Sequence, residues 1–181
     1  GTVVERYNKG ADAIQALKQG KIDCVVIDEQ PAIKFVEQNT GIRILDEEFT
    51  LEDYAFVVAK SNTELLDKVN SALEKLEADG TIADIQKNYI GTEDEIGKFP
   101  YESKDVSHEN GTLTVGTNAE FPPYESYEDG QIVGIDMDIM RAVSDELGME
   151  LKIEDMAFDS IIPAISTGKV DIGAAGFTVT E

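Results

Sequence analysis

Bases, histidine, cysteine and tryptophan are all scarce in this chain. Its 181 residues include 15 Lys+Arg against 37 Asp+Glu, one His, one Cys and no Trp. The net charge of −22 and an isoelectric point near 4.2 exclude a nucleic-acid surface, which needs clustered Lys and Arg against phosphate. They exclude an anionic membrane face for the same reason. One Cys cannot close an internal disulfide, and one Cys with one His cannot build a structural zinc site. A Ser-His-Asp or Cys-His catalyst would have to use His108, the only histidine. No run approaches the roughly 18 apolar residues of a membrane span. No leader pattern is present, and Gly1 is an unusual start for a natural protein, so the lack of a leader says nothing about compartment.

Apolar material is ample by contrast. Hydrophobic residues make up 41% of the chain, enough for one domain of fair size or two small lobes. Charge is unevenly spread. Residues 1–90 carry 10 bases and 17 acids, and residues 91–181 carry 5 and 20. Between the halves, residues 92–111 (TEDEIGKFPYESKDVSHENG) have no sustained period and read as a linker, with Phe99 and Tyr101 available to dock on a neighbouring lobe. His108 falls there and reads as a solvated loop histidine.

Strand and helix patterns alternate on both sides of this linker. Val3, Val4 and Tyr7 predict a strand; residues 11–19 predict a helix ended by Gly20; DCVVID (23–28) predicts a strand buried on both faces. Pro31 opens a short helix to about residue 38; Ile42, Ile44 and Leu45 predict a further strand, as does DYAFVVA (53–59). Ser61 and Glu64 have the spacing of a capping box before a helix bearing Leu65, Leu66, Val69, Leu73 and Leu76, and a second helix runs over 82–89. After the linker, strands are predicted at 113–117, 151–156 and 170–176, with helices at 136–147 and 158–167. The pattern implies α/β lobes with largely parallel sheets.

Two stretches echo each other 148 residues apart. AIQALKQGKIDCVVID (13–28) aligns with IIPAISTGKVDIGAAG (161–176); both read helix, Gly-Lys, β-branched residue, Asp, strand. The pair implies two related lobes, or a common helix-to-strand turn met twice. The alignment puts Asp28 opposite Gly176. Ligands of open parallel sheets gather at carboxyl ends of strands. A cleft edged by Asp28 on one side and by the backbone and hydroxyl of AGFT (175–178) on the other suits a small zwitterion.

These residues resemble a known family. LTVGTNAEFPPYES, GQIVGIDMDIMRAVSDELG and DMAFDSIIPAISTGKVDIGAAGFTVTE resemble the start of the polar amino-acid-binding proteins of ABC transporters, the family-3 solute-binding proteins; VVERYNKGADAIQALKQGKIDCVVIDEQPA and EDYAFVVAKSNTELLDKVNSALEKLEADGTIADIQKNYIG resemble their later part. The resemblance implies a type II periplasmic-binding-protein fold. It places residues 1–52 in a partial lobe two, 53–91 in the C-terminal part of lobe one, 92–111 in the linker and 112–181 in the N-terminal part of lobe one. The order is inverted, and a strand–helix unit of roughly 30 residues or more has no counterpart. A circular permutation or a segment spanning two tandem binding domains both explain that order.

Roles come from the resemblance, position by position. Phe121 would stack on the ligand side chain, with Phe158 closing the other side of the pocket. Asn118 and Glu120 would line it; Glu120 favours arginine, lysine or glutamine, although it reads equally as a solvated loop acid. Ala175, Gly176 and Thr178 would face the α-carboxylate, and Asp28 would accept the α-ammonium. Asp136 and Asp138 read as helix N-terminal acids favoured by the dipole rather than as catalysts. The Arg that grips the ligand carboxylate in the family has no counterpart in this chain, so weak or absent binding is expected.

The resemblance implies an extracytoplasmic binding module, periplasmic or tethered to the cell surface, that hands an amino acid to a membrane permease, with no cofactor, no metal and no catalysis. Two other classes compete. A cyclohexadienyl-dehydratase-like enzyme shares this type of fold and would need a general acid, for which Glu120 is the only candidate. An engineered or truncated scaffold would bind nothing. Open strand edges in an incomplete lobe two would also favour a homodimer.

Overall fold

The computed structural model describes residues 1–47 and 49–179. Thr180 and Glu181 of the TVTE motif lie outside the described residues. Six helices and seven strands are present among the described residues: α1 (Gly10–Lys18), α2 (Glu29–Gln38), β1 (Tyr54–Val58), α3 (Thr63–Ala78), α4 (Thr81–Ile90), β2 (Thr112–Thr117), β3 (Glu120–Phe121), β4 (Glu125–Glu128), β5 (Gln131–Val133), α5 (Ile135–Leu147), β6 (Glu150–Asp155), α6 (Phe158–Ser166) and β7 (Ile172–Thr178).

The main sheet has the order β1-β7-β2-β6. β2 is parallel to both β6 and β7, and β1 is antiparallel to β7, so the α/β expectation holds. A small antiparallel sheet, β3-β4-β5, hangs from the end of β2. The chain leaves β2 for β6 on one side through α5, then returns past β2 to β7 through α6. The connections therefore reverse between β2 and β7. That reversal opens a crevice at the carboxyl ends of those two strands, the usual ligand position in an open α/β sheet.

Each face of the sheet has its own core. Leu65, Val69 and Leu76 of α3, Ile85 of α4 and Met137, Met140 and Val143 of α5 cover one face, together with Leu113, Val115 and Ile172 from the strands. Ile161 and Ile165 of α6 pack with Val170 and Ala175 on the other. One helix start differs from expectation. The cap of α3 is Asn62, whose side chain accepts the Leu65 N–H at 3.2 Å; Ser61 is one residue too early, and Glu64 instead pairs with Lys68. Asp136 and Asp138 lie in the first turn of α5, as expected of helix N-terminal acids, and they are also buried and hydrogen-bonded, Asp136 to the Gly176 N–H and Asp138 to the Tyr89 hydroxyl.

Residues 92–111 form neither helix nor strand, yet they are fastened. Tyr101 packs against the core, and its hydroxyl donates to Asp145 at 2.7 Å. The Lys104 N–H donates to the same carboxylate oxygen at 2.8 Å, and His108 Nε2 lies 3.5 Å from its partner oxygen. The segment is a strap across the C-terminal half of α5, not a free tether.

The first 52 residues depart most from expectation. The strands predicted at 3–7, 23–28 and 42–45 are absent; only α1 and α2 form. The two echoing stretches show why. Their helix ends match bond for bond: Gly20 N to Leu17 O and Lys21 N to Ala16 O in one, Gly168 N to Ile165 O and Lys169 N to Ala164 O in the other. Both glycines take positive φ, 68° and 72°, as this cap requires. Beyond the cap the two stretches diverge. Asp171 accepts the Thr114 N–H at 2.8 Å and returns its own N–H to Thr114 O, seating β7 against β2. Asp23 is exposed, and the apolar run after it is left open, with Val26 68% exposed. A strand is stable only with a neighbour to complete its ladder, and no described strand lies beside residues 23–28.

Candidate functional site

The end of β2 turns sharply into the crevice. Met156 N donates to Thr117 O, Asn118 Nδ2 to Met156 O at 3.0 Å, and the Ala119 N–H to Asp155 Oδ1 at 3.0 Å. These bonds tie the turn to the end of β6 and present β3 to the cleft. Phe121 stacks at 5.8 Å on Tyr124, which meets Tyr54 edge-on at 5.0 Å. Phe158, first residue of α6, stacks at 5.0 Å on Phe177 of β7.

A cavity of about 1230 Å³ opens at this point. Of the sequence-predicted site residues, Asn118, Glu120, Phe121, Phe158, Ala175 and Gly176 line one wall. Residues 1–10, Ala13 and residues 21–27 line the opposite wall. The volume exceeds the roughly 300–1,000 Å³ of a typical small-molecule site. The opposite wall is irregular chain rather than sheet, which leaves the cleft wide.

Two predicted residues lie outside the cavity lining. Asp28 is the cap residue of α2 rather than a strand end, and it faces Tyr54 and Tyr124. Burial and then the Asp28 carboxylate push both phenols up, Tyr124 to about 12 and Tyr54 further. Thr178 sits at the rim, where its hydroxyl donates to Glu52 at 2.7 Å.

The bases stand on one wall only. The wall from residues 118–176 carries Glu120, Glu125 and Asp159 and no base; Arg6, Lys9 and Lys21 stand on the other, together with Glu5 and Asp23. One pair already crosses: Lys9 Nζ lies 2.6 Å from Glu120 Oε1, with both side chains partly exposed. Glu120 and Asp12 hold the Lys9 ammonium above its ordinary pKa.

Three residues at the site were given no part in it from the sequence: Tyr54, Glu125 and Asp136, the last read only as a helix N-terminal acid. Glu125, which opens β4, is 1% exposed, and neither carboxyl oxygen meets a donor group. Burial, followed by the neighbouring Asp136, pushes it up to about 10. Asp136 is raised to about 6 by burial, although Oδ2 accepts the Gly176 N–H at 3.1 Å. The Gly176 N–H is therefore already engaged by Asp136. The available signals were the Glu that ends F-P-P-Y-E and the first Asp of G-I-D-M-D.

Backbone conformation and the neighbouring rings both call for glycine at position 176. Its φ is +56°, and an added Cβ would stand 3.1 Å from the Phe121 ring and 3.3 Å from Tyr54. Among the described residues no group of three metal-ligating side chains is present, and no helix is long and apolar enough to cross a membrane.

Comparison with known proteins gives the same assignment on both sides of the strap. The arginine-binding protein ArgT of Corynebacterium glutamicum is 43% identical over 74 residues, which is 40% of this chain and 24% of that protein. The arginine-binding extracellular protein ArtP of Bacillus subtilis (strain 168) is 37% identical over 38% of this chain and 27% of its own length. A crystal structure of the arginine-bound form of domain 1 from TmArgBP is 47% identical over 39% of this chain and 57% of that one, with a TM-score of 0.39. The chain spans about a quarter of the length of these curated relatives. The model of the bacterial extracellular solute-binding proteins, family 3, matches residues 3–92 and 113–181. With only the strap and the extreme N-terminus unmatched, the chain belongs to family 3 of the bacterial extracellular solute-binding proteins, a family of binding proteins rather than enzymes.

Proposed function

We propose that this chain carries the ligand-facing lobe of a binding protein for a cationic amino acid, arginine foremost. The observation that carries the reading is the Lys9–Glu120 pair. An alkylammonium already rests on Glu120 at the mouth of an acidic wall, beside the Phe121 ring, and a ligand with a cationic side chain makes the same contact from the cleft. Phe121 and Phe158 supply apolar and π faces for its aliphatic stem and its charge. Asp28 offers the carboxylate for the α-ammonium, and Thr178 and the backbone at Ala175 the donors for the α-carboxylate. The relatives named as arginine-binding support the same ligand class.

In the full assembly the lobe works outside the cytoplasm, periplasmic or tethered, and passes its ligand to an ABC permease after closure against a second lobe. Residues 1–52 belong to that second lobe, and the inverted order reflects permutation or a tandem-domain junction. By itself the chain binds weakly, with Kd in the region of 1 mM, or about −4 kcal/mol, because its second wall has no sheet.

Isothermal titration with arginine, lysine, glutamine and glutamate tests the reading. Arginine is expected to bind at least tenfold tighter than glutamate, with Asp28→Asn removing most of that binding. Equal affinities, or tight micromolar glutamate binding, would sink the proposal.

A further inference from the structure

We propose that Glu125 and Asp136 hold one proton between them and act as positioning residues for the Gly176 peptide at the cleft edge. Three elements meet here. Glu125 opens β4, Asp136 lies in the first turn of α5, and Gly176 lies near the end of β7. Backbone bonds hold the two residues side by side: Ile135 N–H donates to Pro123 O at 3.0 Å, and Asp136 N–H to Tyr124 O, next to Glu125, at 3.1 Å. At Gly134 the approach is so close that a Cβ would stand 2.1 Å from Tyr124 O. Asp136 thus cannot be drawn away from Glu125 without breaking the start of α5.

The bonding pattern locates the proton. Both Glu125 oxygens are buried and meet no donor group. Their neighbour is another carboxyl, and two carboxyls can hydrogen-bond only if one keeps its proton. Asp136 accepts the Gly176 N–H at Oδ2, a bond that favours its ionised form, so the proton is assigned to Glu125 and Asp136 is the acceptor. Like charges at such range cannot both ionise. The other groups that face the pair are Tyr54 from β1, Tyr124 before β4, and Asp28 and Glu29 at the start of α2. On α5 itself, Asp138 is paired with Arg141 and accepts the Tyr89 hydroxyl. Those facing the pair are acids or phenols, so none favours a second negative charge. Burial raises both carboxyls, Glu125 to about 10 and Asp136 to about 6, which agrees with one shared proton at neutral pH.

The consequence lies at Gly176. Its N–H is held by an ionised acceptor, a stronger bond than a neutral one. That bond sets the peptide in the left-handed region and keeps the strand end against Phe121. Acidification through the Asp136 pKa neutralises the acceptor and loosens the edge. Only the effect on ligand rests on the proposed amino-acid site; the pair and its hold on Gly176 do not.

NMR titration of the chain tests the inference directly. Glu125 Cδ is expected to keep its protonated shift from pH 5 to 9. The Gly176 amide proton is expected to move upfield as pH falls through about 6. In Asp136→Asn, whose amide oxygen still accepts that bond, the Gly176 shift becomes flat over the same range. In Asp136→Ala, Gly176 exchanges at least tenfold faster; if that variant does not fold, the Asn variant decides. A Glu125 Cδ that titrates in the ordinary carboxylate range overturns the inference, and so does a wild-type Gly176 amide indifferent to pH. Arginine titrated at pH 7.5 and 5 supplies the second arm, with about tenfold weaker binding expected at the lower pH. Absent arginine binding alongside the expected NMR behaviour overturns the ligand assignment alone.

Discussion

Glu125→Gln is expected to stabilise the fold, because the native carboxyl must hold a proton that the unfolded chain releases. Glu125 is 1% exposed, and its pKa is raised well above the ordinary value of 4.5. Above pH 4.5 the unfolded chain ionises Glu125 while the folded chain keeps it neutral, so folding takes up a proton and stability falls as pH rises. At pH 7 the penalty is about 1.4 kcal/mol for each of the 2.5 pH units above 4.5, or roughly 3 kcal/mol. Glutamine carries no such penalty, and its amide can still donate to Asp136. Its second N–H is left unpaired in the interior and offsets about 1 kcal/mol. The net gain is about 2 kcal/mol at pH 7, or roughly 4–8 °C in Tm for a chain of this size. It shrinks as pH falls and vanishes near pH 5. Urea unfolding followed by circular dichroism at pH 5, 6, 7 and 8 measures the gap. A variant less stable than wild type at pH 7, or a gap that does not grow with pH, refutes the reasoning.

Other consequences are open to direct measurement. Lys9→Met removes the ammonium from Glu120, so arginine binding is expected to tighten about three- to tenfold by calorimetry; unchanged affinity would show that Lys9 does not compete for the carboxylate. Asp145→Ala leaves the Tyr101 hydroxyl and Lys104 N–H without their acceptor, and is expected to cost about 2–3 kcal/mol. Hydrogen exchange should then accelerate over residues 99–110 first, whereas a uniform increase would argue against a separately fastened strap. The main sheet has β6 and β1 at its edges, and Val26, Phe49 and Leu51 are 68, 82 and 85% exposed. Light scattering is expected to show self-association that rises with concentration, and a strict monomer at high concentration would count against it.

What was legible in the sequence depended on whether the partner of each segment lay in the same chain. Most of residues 112–179 read well: the strands at 113–117 and 151–156 and the helices at 136–147 and 158–167 all form, because β2, β6, β7, α5 and α6 cover one another, whereas the small sheet β3-β4-β5 carried no strand signal. DCVVID carries an equally strong strand signal and forms no strand. Its apolar run records a two-sided burial that no described neighbour supplies. The shared Gly-Lys turn makes the distinction sharp. Local chemistry built the same cap at Gly20 and Gly168, and only Asp171 had a Thr114 to bind.

The site was legible in part for a related reason. Residues that face outward from a turn, such as Asn118, Glu120 and Phe121, are visible as polar or aromatic side chains after a strand end. Glu125 and Asp136 are acids that turn inward, and single-sequence patterning assigns an acid to the surface. Their pairing depends on the backbone bonds from Ile135 and Asp136 to Pro123 and Tyr124, contacts fixed only by the fold. Tyr54 and Gly176 meet across an antiparallel pair whose strands stand more than a hundred residues apart.

Whether this lobe captures a cationic amino acid at the β2/β7 crevice can be measured most directly by titrating arginine into isotope-labelled chain and mapping the shifted amides. Shifts clustered at Asn118, Glu120, Phe121, Ala175 and Gly176, saturating at millimolar arginine and absent with glutamate, are the predicted result. Shifts scattered over the surface, or the same cluster moved equally by glutamate, would contradict it.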